Sequence, residues 1–152
     1  MKSRAGVGAW LALAITAAGC SGAAQHSQET LTRLHKYDIT RTPPGATQIA
    51  SGTDAGSNSS ITGKQPTLQV VFSTAQPIEQ AVDYYRTQFP SYRLTPLAPN
   101  PPGGVRYFGG LGLDSVSVSV TRDRPALEDR PRLKVSAQVG LTYITIFEIA
   151  GG

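Results

Sequence analysis

The side chains able to do chemistry are few and scattered. Cys20 is the only cysteine, and the two histidines, His26 and His35, both fall in the first quarter of the chain. A general base must sit within hydrogen-bond reach of the proton it takes. Neither histidine lies in a segment with a clear strand or helix period, so a Ser-His-Asp system is not expected. Zinc sites draw mainly on Cys and His, and this inventory is too small to fill one, so no metal and no other cofactor is expected. The acids, among them Asp38, Asp54, Asp83, Asp114, Glu79, Glu128 and Glu148, show no calcium-loop spacing. Folding could still bring two of them together as a hydrolytic carboxylate pair. Gly63-Lys64 does not make a phosphate loop, because position 58 is Asn and position 65 is Gln where that loop needs Gly and a hydroxyl. Gly110 and Gly112 do not make a dinucleotide fingerprint, because they open no helix and Ser115 stands at the third glycine position. Catalysis is therefore not expected.

Two groups of residues are candidates for binding instead. The run from Arg122 to Arg132, RDRPALEDRPR, carries Arg122, Arg124, Arg130 and Arg132 against three acids. Such a run is usually a solvated loop with local ion pairs; its functional reading is a contact with an anionic ligand or a phospholipid headgroup. Tyr84 lies beside the apolar stripe of a helix that carries Tyr85. It is either a half-buried tyrosine with a wet hydroxyl or part of a ligand or partner surface.

The chemistry of Cys20 depends on what precedes it. Lys2 and Arg4 form a positive start, and Ala5 to Ala18 is apolar or small with no charge. This run is shorter than the roughly 20 apolar residues of a membrane-spanning helix. Ala17-Ala18-Gly19 then leads to Cys20. MKSRAGVGAWLALAITAAGC resembles a bacterial lipoprotein signal peptide, and Ala17-Ala18-Gly19-Cys20 resembles its lipobox, with Ala17 where a branched aliphatic is usual. The resemblance covers these first residues only. It implies cleavage between Gly19 and Cys20, a thioether-linked diacylglycerol on Cys20, and attachment to the extracytoplasmic side of the cell membrane. Two or three acyl chains hold a protein firmly where one holds only marginally.

Removing Lys2 and Arg4 with the signal leaves 12 basic residues of the original 14 against 10 acidic ones, a net charge of +2. That is too little for nucleic acid, which is held through many phosphate contacts. The expected partners are the membrane, through the lipid on Cys20, and a protein or envelope ligand of unknown identity. The chain divides into a signal peptide over 1–19, a lipidated tether over 20–36 and one small domain over 37–152, with Ser21 to Gln28 small, polar and without period.

The domain is organised around Thr67 to Leu94. Leu68, Val70 and Phe72 alternate as a buried strand. Pro77 suits the first turn of a helix, Glu79 complements its positive end, and Pro90 stops it. Ile78, Ala81, Val82, Tyr85 and Phe89 form one apolar stripe, so the helix from Pro77 to Phe89 is about 12 residues and about 20 Å long. Further strands are expected at Ala46 to Ala50, Ser91 to Leu97, Val105 to Phe108, Ser115 to Thr121, Leu133 to Val139 and Thr142 to Ile149, separated by loops at Ser51 to Lys64, Ala98 to Gly104 and Arg122 to Arg132. The expected fold is α+β: a mainly antiparallel sheet of about four to five strands with one amphipathic helix on one face. The pattern loosely resembles small secreted and lipoprotein domains of unknown function. The function expected is a membrane-anchored, non-catalytic binding or scaffolding lipoprotein. The alternatives are a small secreted hydrolase with an unrecognised carboxylate site, or a carrier of an apolar ligand between helix and sheet.

Overall fold

The computed structural model describes residues 21–57 and 63–151. Six strands form one sheet: β1 (Ala46–Asp54), β2 (Thr67–Thr74), β3 (Thr95–Pro96), β4 (Gly104–Leu111), β5 (Asp114–Arg122) and β6 (Thr142–Ile149). Their order is β1-β2-β6-β5-β4-β3, and every neighbouring pair is antiparallel. Two helices accompany them, α1 (Ser21–Leu34) and α2 (Ile78–Gln88). The fold class is α+β with an antiparallel sheet, as the residue pattern suggests. The count differs: among the described residues there are six strands rather than four or five, and two helices rather than one.

The last strand, TYITIFEI, enters the middle of the sheet between β2 and β5. That placement explains why β2 and β6 are apolar or buried at almost every position rather than at every second one, since both their faces are covered. One face carries the helices. Leu68, Val70 and Phe72 of β2, Ile144 and Ile146 of β6, and Val116, Val118 and Val120 of β5 meet Leu31 and Leu34 of α1 and Ala81, Val82 and Tyr85 of α2 in a single cluster. Helix α2 loses one residue at each expected end, with extended Pro77 before it and Phe89 closing it through an N–H donated to the Tyr85 carbonyl at 3.2 Å. Tight turning at Gly112-Leu113 joins β4 to β5, with Gly112 at φ +65°; glycine is suited to that first position of a two-residue hairpin loop.

Four segments depart from the expectation. The region read as a tether is helical from Ser21, and Leu31 and Leu34 are buried in the core; two leucines at spacing three are enough to dock a helix that has no longer apolar stripe. Strand β1 runs on to Asp54, four residues into the expected loop, because β2 offers a full-length partner down to Thr67. The expected strand at Ser91 to Leu97 is instead a 3₁₀ turn over Pro90–Tyr92 followed by the two-residue β3. Leu133 to Val139 alternates but joins no strand, since β6 already occupies the place beside β5. Residues 123–141 instead run across the sheet face opposite the helices, where Pro131 and Leu133 lie against Gly52 of β1. The expected cleavage site and lipidation at Gly19 and Cys20 lie outside the described residues. Among the described residues, no helix is long and apolar enough to cross a membrane.

Candidate functional site

Ionisable groups gather where α1 crosses the β4–β5 hairpin. Asp114, the first residue of β5, is buried. Arg33 of α1 reaches it with both arms of its guanidinium, Nε to Oδ2 at 2.9 Å and Nη2 to Oδ1 at 2.8 Å. The Tyr37 hydroxyl donates to Oδ2, and the Gly151 N–H donates to Oδ1 at 2.8 Å. One carboxylate thus ties together α1, the turn after it, the hairpin and the last residues of the chain. Gly151 fits there because a Cβ would stand 2.1 Å from the Leu113 carbonyl oxygen. Burial pushes the Asp114 carboxyl up, but the bonds from Arg33, Tyr37 and Gly151 outweigh it and hold the group below its ordinary value. Burial, and then the bond to Asp114, push Tyr37 up to about 12.

Behind this cluster lies Glu148. It shares the helix-bearing face with Ile144 and Ile146, opposite Leu68 on one side and Val116 on the other. Its relative exposure is 1%, and among the described residues neither carboxyl oxygen has a hydrogen-bond partner. Burial, reinforced by the negative charge of Asp114, pushes it up to about 8. A carboxyl in this position is neutral at neutral pH, since an isolated buried charge is far costlier than a proton. Glu148 could be foreseen from period alone: in TYITIFEI it falls on the same parity as two core isoleucines. Asp114 could not, because its partner Arg33 is 81 positions away.

The arginine run does not converge. Arg130 pairs with Asp54 through Nε at 2.9 Å and Nη2 at 2.5 Å, and pushes that carboxyl down to about 2. Arg122 donates to the Thr142 hydroxyl at 3.3 Å. These anchors are at opposite ends of the sheet, since Arg122 pairs with the start of β6 and Asp54 aligns through Thr67 with its end. Arg132 is exposed, and Arg124 lines a groove of about 560 Å³ with Arg106 and four prolines, Pro99, Pro101, Pro102 and Pro125. Arg106 is itself engaged, by Glu128 at 3.0 Å and by the Ser119 hydroxyl, to which it donates at 3.0 Å. Tyr84 packs edge-on against Tyr85 and Phe89, with ring centroids 5.2 and 5.7 Å away.

The crossing segment is fastened by the Arg130–Asp54 and Arg106–Glu128 ion pairs and by one buried amide side chain. Gln69, fully buried in β2, donates Nε2 to the Pro131 carbonyl at 3.1 Å and accepts the Glu128 N–H on Oε1 at 3.0 Å. Between Arg124 and Ser136 the backbone makes no backbone–backbone hydrogen bond among the described residues. This part of the molecule is a strap held by side chains over a completed sheet.

Chemically, the two regions offer different things. The hub is a neutral and an ionised carboxyl side by side, but only Asp114 faces open space, a cleft of about 340 Å³ shared with His26, Arg33 and Tyr37. The strap and its groove offer guanidinium and proline surface. Among the described residues, no three His, Cys, Asp or Glu side chains are grouped to hold a metal ion. Compared with models of protein families, with curated proteins and with solved structures, the chain matches none.

Proposed function

We propose that this protein is a cell-envelope lipoprotein, lipid-anchored through Cys20 on the extracytoplasmic side of the membrane, whose α+β domain binds or scaffolds an envelope partner without catalysis. The observation that carries the reading is the position of the single cysteine, at the end of an uncharged apolar run that follows Lys2 and Arg4. The structure adds a physical consequence. Helix α1 is helical over all its described residues, Ser21–Leu34, and is docked on the core by Leu31 and Leu34, so the domain would sit close against the bilayer rather than at the end of a loose leash. The exposed proline and arginine groove beside Arg124 and the strap are the surfaces free to meet a partner.

A Cys20→Ser variant tests the reading. It should remain as unprocessed precursor in membrane fractions, while the parent protein is shortened and extracted only by detergent. The carrier alternative meets a filled interior: Phe72, Val82, Tyr85 and Phe89 are 0%, 8%, 1% and 6% exposed and belong to one cluster. The hydrolase alternative has Asp114 beside Glu148 in its favour; because Glu148 does not line the cleft that Asp114 faces, the pair does not present itself to a substrate there.

A further inference from the structure

We propose that docking of α1 onto the sheet is coupled to the uptake of one proton by Glu148, so that rising pH releases the helix. The geometry carries this. Glu148 lies on the helix-bearing face of the sheet, across from Leu68 of β2, the strand against which α1 packs, and among the described residues neither of its oxygens has a partner. Among the described residues its environment offers no cation. From β5 it faces Val116, with Asp114 two residues before it in that strand, and the charge of Asp114 repels a second carboxylate. Arg33 of α1 is committed to Asp114. Tyr37, after α1, gives its hydroxyl to Asp114, and Tyr92, from the 3₁₀ turn, gives its own to Asp38 at 3.0 Å. The only ionisable side chain that α2 buries in the core is Tyr85, and β2 presents Leu68.

If Glu148 must ionise, something has to open and admit water. The strands around it are locked by ladders on both sides, whereas α1 is held by Leu31, Leu34 and the Arg33 bridge. The buried underside of α1 is also partly polar, with Ser27 and Thr30. A 14-residue helix detached from its partner is marginal in water, so release would also melt it. Docked, it spans about 21 Å; released and extended, the same residues reach up to about 50 Å. The change in reach rests on anchoring at Cys20, but the proton coupling does not.

Hydrogen exchange of the full chain in detergent micelles tests the coupling without reference to lipidation. With rates corrected for intrinsic exchange, opening of the amides around Leu31 to Leu34 should rise about tenfold per pH unit between about pH 5 and 8 and level off above, while β6 stays protected. Glu148→Gln and Glu148→Met should each flatten that response. His26 and His35 are unchanged in both variants, so any response they cause would survive. A flat profile in the parent chain, a slope that persists in both variants, or loss of α1 and β6 protection together would overturn the proposal.

Discussion

At the scale of single residues, the two buried carboxyls act with opposite signs on stability. Glu148 is raised in the folded protein, to about 8. Unfolding therefore releases its proton at any pH between its ordinary value and that figure, and stability falls as pH rises across this window and is constant above it. Glu148→Gln should stabilise the protein by about 2–4 kcal/mol at pH 8 and by little near pH 4, read by urea denaturation at both values. Asp114 is lowered, so its contribution is present above the ordinary carboxylate range and lost as pH falls through its folded value. Asp114→Asn should cost about 2–3 kcal/mol at pH 7, because Arg33 and Tyr37 lose an ionised acceptor. Together the two groups place the stability maximum on the mildly acidic side. Of the pair, Glu148 was legible as a charge on core parity, whereas Asp114 looks in sequence like any residue after a glycine turn.

At the scale of elements, α2 was readable because each boundary has a local cause, Pro77 before and Pro90 after, and because five apolar residues repeat at helical spacing. Helix α1 was legible only in part: Leu31, Leu34 and Tyr37 at spacing three allow one or two helical turns, while SGAAQHSQ ahead of them shows no period, and Leu31 and Leu34 are the bulk it places in the core. Leu34→Ala decides whether this segment is core or leash. Thermal or urea denaturation should show a loss of about 2–5 kcal/mol, whereas a leash residue would change stability by less than about 0.5 kcal/mol. The strap misled in the opposite way. Leu133 to Val139 alternates like a strand, yet its place in the sheet is taken by β6, a long-range competition that no local pattern reveals. Gln69→Ala should loosen the strap at a cost of about 1–3 kcal/mol, visible as faster exchange of the Glu128 amide, which Gln69 accepts, with β2 and β6 still protected.

At the scale of the whole molecule, the antiparallel α+β class followed from alternation and one helix, and the strand order did not, because insertion of the final strand between β2 and β5 is decided by which buried faces fit together. The described part of the fold holds an ion pair that pins α1, a neutral acid on the same face of the sheet, and a strap on the far face. On the proposed reading, what the protein does turns on where it is held, and that rests on Cys20. Intact-mass and peptide mass spectrometry of the mature protein, purified from membranes of a bacterial host, is the most direct measurement. The first residue should be Cys20, carrying a diacylglycerol thioether. A mature chain beginning elsewhere, or a Cys20 that alkylates as a free thiol, would contradict it.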